Sequence, residues 1–335
     1  MNNGPREGDR LQHFAGDDSG AGARRLFSGD DAVLPFSTIR SGVEGRVVRL
    51  AGIADTILGG HDYPEPVSRA LGEALALTAM LGAALKSGGR LILETRTNGP
   101  LRSLAVNFEA RSDKGGQVPG RMRGYAGFDK AAVEALSRKP ETASLLGEGH
   151  LALTIEAGEG RDSYQGVAAL DGGSLSDAAR AYFRQSEQLP TFIRLAVARE
   201  LVPAAGASAP EWRWRVGGLM IQHLAAVGID TEKGWAEESW RRAGFLAETV
   251  EDHELIDPLL PPESLLLRLF HEEGVRVRDA VPLDTYCRCS RERIAGFLEQ
   301  FGAAELDDLR AEDGSVVVTC EFCGSAYVFA EPNQA

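Results

Sequence analysis

From Arg90 to Thr95 the chain reads Arg-Leu-Ile-Leu-Glu-Thr, a short apolar run between polar ends that predicts a strand. Just upstream, Val67 to Lys86 carries apolar residues at helical spacing. Its most apolar part, Leu71 to Leu85, includes Glu73 and lies between Arg69 and Lys86. That stretch is shorter than the roughly 20 apolar residues a membrane span needs, so it reads as a buried core helix. Further strands are expected at 43–50, 101–108, 151–156, 163–170, 192–199 and 212–222, and a helix opens at Ser174 toward Glu187 behind Gly172-Gly173. Many strand-like runs with few helices between them predict an α+β class. The mixed α/β body is expected over residues 32–228, with a surface loop from Pro203 to Pro210, which is rich in Ala, Gly and Ser. No repeat period is visible.

The flanks read differently. Residues 1–31 are rich in Gly, Asp and Arg and offer too few apolar positions to offset backbone entropy, so a disordered tail is expected there. Residues 229–282 hold 13 acidic and six basic residues, with helical spacing over 232–250 and 263–272 broken by Pro258 and Pro261-Pro262. Trp235, Trp240, Phe245, Leu246, Leu265, Leu266, Leu269 and Phe270 are interleaved with those charges. Such a helical linker docks through its apolar face and is marginal alone.

Composition narrows the function classes. The 335 residues are 43% hydrophobic and 25% charged, which excludes collagenous and wholly disordered chains. A net charge of −13 sets long-range repulsion against a phosphate backbone, so nucleic acid is not expected as the main partner. Residues 1–9 lack the apolar core of a secretory signal, and a cytoplasmic location without membrane attachment is expected.

All four cysteines fall near the C-terminus, as Cys287-Arg288-Cys289 and, 30 residues later, Cys320-Glu321-Phe322-Cys323. Two close pairs separated by such a loop can converge on one tetrahedral metal, and zinc is the leading ligand. Four reduced core cysteines and a permanent disulfide framework are the alternatives; a cytosolic setting disfavours the latter. Residues 283–335 form a unit of a size whose hydrophobic core is usually marginal without a staple. Zinc would supply it, since structural sites contribute about 10 to 16 kcal/mol in small domains. Each cysteine pair is also near enough in sequence to oxidise within itself. Oxidation consumes metal ligands, so one chemical event would couple oxidant to unfolding.

The run Cys287-Arg288-Cys289-Ser290-Arg291-Glu292-Arg293, followed by Cys320-Glu321-Phe322-Cys323, resembles the zinc signature of the heat shock protein 33 family in residue type and spacing. Members of that family are redox-regulated, ATP-independent holdase chaperones of the bacterial cytosol. His61-Asp62-Tyr63-Pro64, Arg123-Gly124-Tyr125-Ala126, Tyr164-Gln165-Gly166, the run from Tyr182 to Gln188 and the run from Gly217 to Gln222 look like its landmarks in order. The resemblance covers Val33 to Phe329. It implies a chaperone body, a redox-sensitive linker folded over it, and a C-terminal switch holding one zinc ion in the reduced state. It further implies Cys287–Cys289 and Cys320–Cys323 disulfides on oxidation, zinc release, capture of unfolded client proteins, and a homodimer when oxidised. Trp235, Trp240, Phe245, Leu246, Leu265, Leu269 and Phe270 are the expected client-binding residues. The N-terminal extension and the Pro203–Pro210 loop depart from the family pattern.

Other signals weigh less. Lys86-Ser87 lacks the phosphate-loop frame, and Gly147-x-Gly149-x-x-Ala152 precedes a strand where a dinucleotide fingerprint needs a helix. His61-Asp62 reads as a turn, and Trp212 and Trp214, alternating with Arg213 and Arg215, read as a strand with one aromatic face. No enzymatic activity is expected. The competing readings are a static zinc module that docks a protein or nucleic-acid partner, and a thiol-disulfide oxidoreductase, which would need a thioredoxin-like context around Cys320 and Cys323.

Overall fold

The computed structural model describes residues 29–85, 88–111, 118–137, 145–156, 163–203, 209–223, 233–311 and 313–329, with backbone alone for 137, 233–236 and 303–304. The chain divides into two compact units, the first ending at Thr285 and the second beginning at Tyr286. Residues 1–28, most of the expected tail, lie outside the described residues, as do Lys86-Ser87 and most of the Pro203–Pro210 loop. Asp30 and Asp31, assigned to that tail, are instead structural. Asp31 accepts the backbone N–H groups of Ala51, Gly52 and Ile53, capping the next helix, and Asp30 pairs with Arg215.

The class is α+β. In the first unit β1 (Ala32–Thr38) and β2 (Val43–Leu50) lead to α1 (Gly52–Gly59) and α2 (Glu65–Gly82). Then come β3 (Arg90–Thr97), β4 (Leu101–Glu109), β5 (Gly120–Phe128), α3 (Lys130–Ser137), β6 (Glu148–Glu156) and β7 (Ser163–Asp171). The helix α4 (Leu175–Ser186) opens on a capping box between Ser174 and Asp177, and β8 (Thr191–Val202) and β9 (Glu211–His223) form a long antiparallel pair. Linker helices α5 (Lys233–Glu248), α6 (Asp252–Ile256) and α7 (Pro262–Phe270) follow. The rest of the expected helical linker is not helix throughout: β10 (Val275–Val277) and β11 (Val281–Thr285) are strands of the main sheet.

Among the described residues that sheet has eleven strands in the order β7-β6-β3-β4-β5-β11-β1-β2-β9-β8, with β10 also paired to β1. Side chains alternate between two cores, as period-two geometry requires. Val33, Val48, Val216 and Met220 join α1, α2 and α4 in the main core. Leu34, Phe36, Val47, Leu219 and Ile221 point the other way, against Ala243, Ala247, Leu255, Leu265, Leu266, Leu269 and Phe270 of the linker helices. With both faces covered, β2 is buried almost throughout, Arg46 and Arg49 included, and β9 is buried from Val216 to Gln222.

Several elements were hidden from the sequence pattern. β5 contains Gly120, Gly124 and Gly127, residues depleted in strands. A Cβ on Gly124 would press on Val106, Leu71 and Leu75, so close packing under α2 selects glycine there. The helix expected over 67–86 runs from Glu65 to Gly82, with Pro64 preceding it and Pro66 in its first turn.

Three features seat the linker helices. Phe36 lies over Gly45, its cross-strand partner, and meets the Phe270 ring at a centroid distance of 5.7 Å. A Cβ on Gly217 would approach the Leu255 carbonyl oxygen to 2.4 Å, so only glycine lets α6 lie this near β9. Arg49, on β2 and 3% exposed, donates to the carbonyls of Asp257 (2.7 Å) and Glu254 (2.9 Å), while Arg215 donates to that of Ile256 (3.0 Å). These are the carbonyls that a helix C-terminus leaves without partners.

Arg49→Met removes two charged hydrogen bonds and is expected to weaken linker docking by on the order of 2 kcal/mol. Hydrogen exchange should accelerate across residues 252–270 while β3 to β6 stay protected. A second expectation concerns Glu73 on α2. Burial, with Asp252 adding and Arg69 opposing, raises its carboxyl to about 7 from 4.5. Because the folded-state value is raised, the associated stability is full below pH 4.5 and is lost as pH rises through 7. Urea midpoints should therefore fall between pH 5 and 8, and Glu73→Gln should remove that part of the decline.

Candidate metal centre

The second unit places its cysteines by short, well-specified turns. Cys287 and Cys289 follow β11 and precede α8 (Arg291–Leu298), which Ser290 caps by accepting the Arg293 N–H at 3.2 Å. After α9 (Ala303–Asp308) come β12 (Val316–Thr319) and β13 (Ala326–Phe329), an antiparallel pair. Cys320 directly follows β12, and Cys323 sits in the turn to β13. Gly324, at φ +69°, donates to the Cys320 carbonyl at 2.8 Å, and the Cys320 N–H donates to the Ser325 carbonyl at 2.9 Å. Glycine is needed at that positive φ to fold the chain back toward the first pair.

The result is one cluster. The four sulfurs lie within 4.8 Å of one another, with Cys287–Cys289 at 3.1 Å, Cys289–Cys323 at 3.3 Å and Cys287–Cys320 at 3.6 Å. A disulfide needs about 2.05 Å, and all four cysteines are free. A tetrahedron with metal–sulfur bonds of about 2.3 Å has edges of about 3.8 Å, so the observed spacings fit a four-coordinate ion with slight expansion. An all-sulfur donor set suits a soft or borderline ion and is wrong for magnesium or calcium.

Electrostatics favours stepwise loss of protons. Burial pushes the Cys323 thiol up, but hydrogen bonds with Ser325, Cys289 and Cys287 outweigh it and bring the group down to about 6. Burial raises Cys287 to about 12 and also raises Cys320. The neighbouring thiols thus stabilise one thiolate and resist a second, which is the repulsion a bound cation would cancel. The Tyr327 hydroxyl donates to Cys289 Sγ at 3.2 Å. Sequence reading missed this residue; position four after Cys323 carries no metal-site signal of its own.

The expected client-binding residues are scattered by exposure. Leu265, Leu269 and Phe270 are buried against the sheet, and Trp240 and Leu246 are packed at the edge of the same core. Phe245 is 62% exposed, and the Trp235 side chain lies outside the described residues. Leu259, 88% exposed, and Leu267, 60% exposed, were not singled out from sequence. His61 stacks on Tyr63, whose hydroxyl accepts the Ala126 N–H, as a turn residue would. Arg199 lies over both Trp212 and Trp214 on the β8–β9 pair. Among the described residues no helix is long and apolar enough to cross a membrane.

Comparison with known proteins agrees across the length of the chain. The family model described as Hsp33 protein matches residues 31–330. The 33 kDa chaperonin of Caulobacter vibrioides is 40% identical over 306 residues, covering 90% of this chain and 96% of that protein. The 33 kDa chaperonin of Enterobacter sp. is 35% identical over 289 residues, covering 86% and 88%. In fold, the chain is similar to the crystal structure of the 33 kDa chaperonin (heat shock protein 33 homolog) from Thermotoga maritima. The TM-score is 0.63 at 20% identity, covering 89% of this chain and 94% of that one. With the family model spanning nearly the whole chain and a relative this similar end to end, the chain belongs to the Hsp33 family of chaperones.

Proposed function

We propose that the chain is a redox-regulated, ATP-independent holdase. Reduced, it carries one zinc ion on Cys287, Cys289, Cys320 and Cys323 and keeps its client surface covered; oxidised, it captures unfolded proteins. The observation that carries this reading is the convergence of four partly accessible thiols in a chain whose linker helices bury a continuous apolar interface against the sheet. When bound, zinc supplies a staple that holds the four sulfurs as thiolates.

Oxidation then acts on the residues themselves. Each disulfide, Cys287–Cys289 and Cys320–Cys323, forms from two thiolates with loss of two electrons, and one hydrogen peroxide takes up those electrons with two protons from solvent to give two waters. Sulfurs tied in pairs no longer converge on one point. The second unit is left with the small core of Leu298, Leu306, Val316 and Phe329. A core of that size holds a fold of this length poorly. Loss of order spreads upstream along the chain, the linker helices lift, and Leu265, Leu269 and Phe270, with Trp235, Trp240, Phe245, Leu246 and the sheet face beneath, meet unfolded clients. In this division residues 32–228 are the chaperone body, 229–282 the redox-sensitive linker and 283–335 the switch. The oxidised form is a homodimer and works in the cytoplasm.

A second reading has one observation in its favour. Val317 and Val328, cross-strand partners on β12 and β13, are 51% and 49% exposed, as a static docking module would present them. It requires partner binding to be strongest in the reduced state.

Hydrogen peroxide is expected to release one equivalent of zinc from the reduced protein, read with a chromogenic chelator. The same treatment should switch on suppression of aggregation of a chemically denatured enzyme. Zinc retained with unchanged suppression would overturn the switch, and capture confined to the reduced form would favour the docking module. Cys320→Ser is expected to abolish tight zinc binding while hydrogen exchange in β3 to β6 stays unchanged.

A further inference from the structure

The main sheet is two half-sheets joined at one strand. On one side run β7-β6-β3-β4-β5, and on the other β1-β2-β9-β8 with β10. Among the described residues β11 alone pairs with both halves. Leu283, Asp284 and Thr285 run parallel to Gly120, Arg121 and Met122 of β5, while Val281 and Pro282 lie antiparallel to Val33 and Ala32 of β1. This central strand is weakly built. It has five residues, three register pairs on one side and two on the other, and only Leu283 of its side chains is buried. Pro282 has no N–H to give, and proline is ordinarily confined to sheet edges. The chain passes from β11 through Tyr286 directly to Cys287.

The halves do not need β11 to stay together. α2 packs on β2, β8 and β9 and equally on β3, β4 and β5, so both share one core beneath the seam. Removing β11 would leave two facing strand edges about 10 Å apart, the width of one missing strand.

We infer that β11 is a removable strand, and that the slot between β1 and β5 docks an extended segment of an unfolded polypeptide in its place. The inference rests on the holdase reading and names the chemistry of the client it takes. Both edges offer unpaired backbone N–H and C=O groups, which recognise any extended chain whatever its side chains. Leu283 shows that the slot also accepts an apolar side chain, beside Phe108 and the bare backbone of Gly120. Folded proteins, whose backbone groups are already paired, have nothing to offer it.

The test uses a synthetic peptide reproducing residues 278–287 with serine for the final cysteine, and the same peptide N-methylated on alternate amides including that of Leu283. Oxidation of the full chain should expose the amides of residues 32–33 and 120–122 to hydrogen exchange. The plain peptide should restore their protection, and the methylated one should bind at least about tenfold more weakly. Leu283→Asp should open the same amides and admit the plain peptide in the reduced protein, without oxidant. Equal binding of the two peptides, or amides 120–122 still protected in oxidised protein that suppresses aggregation, would overturn the slot. If Leu283→Asp admits the peptide yet oxidised wild-type protein suppresses no aggregation, the slot stands and the redox holdase reading fails.

Discussion

The second unit buries Leu298, Leu306, Val316 and Phe329, with a handful of half-buried neighbours around them, and those contacts are too few to order a chain of this length. Its shape depends on four sulfurs meeting within 4.8 Å. That requirement fixes the Ser290 cap, the left-handed Gly324 and the turn between β12 and β13 as one set, because each brings a cysteine to the common point. Under the proposed function, a fold held by one chemical centre is stable only while that centre keeps its oxidation state, which would tie structure to redox conditions more tightly than a large apolar core does.

The first unit has the opposite character. Its main core is extensive, and α2 is buried along nearly its whole length beneath both half-sheets. The parts nearest in sequence to the cysteines are the thinly held ones. β11 is short and contains a proline, β10 has three residues, and α6 is a helix of five residues that leans on Arg49 and Arg215 for partners to its carbonyls. Burial and pairing are thus graded along the first unit, sparsest in the short elements that precede the cysteines in sequence and densest in the α2 core. Under the proposed function this gradient lets the linker and seam open while the body persists.

Charge shapes the same gradient. The linker is acidic, and it docks where the body presents buried guanidinium groups. Burial lowers the pKa of Arg49 and the nearby Arg215 adds to that, while Asp30, Asp257 and Glu263 oppose it. Two of those three carboxylates, Asp257 and Glu263, belong to the linker, so under the proposed function its departure would remove both apolar cover and charge compensation from the body. The Arg242–Glu273 pair, with Glu273 buried, ties the linker to its own end.

Hydrophobic periodicity made the strands at 43–50, 101–108, 151–156 and 163–170, and the core helix, legible, because side-chain alternation and helical spacing are local consequences of backbone geometry. Cysteine spacing made the metal-centre residues legible for a similar reason: few folds can use CxC and CxxC except by bringing them together. Local pattern could not reveal β5, whose glycines are selected by Phe108, Val106 and α2 lying against them, nor the strands at 275–277 and 281–285, which are too short, and in the second case broken by Pro282, to announce themselves. It could not show that Asp30 and Asp31 are fastened to Arg215 and α1, or that Arg49 holds the end of a helix some 200 residues further along the chain. Those features exist only when distant segments meet, and the free energy that selects them comes from contacts that no window of neighbouring residues contains. The chain by itself specified the core helix, several strands of the body and which sulfurs can share an ion; the tertiary structure decided the remaining strands, which faces the elements cover and where the cover is thin.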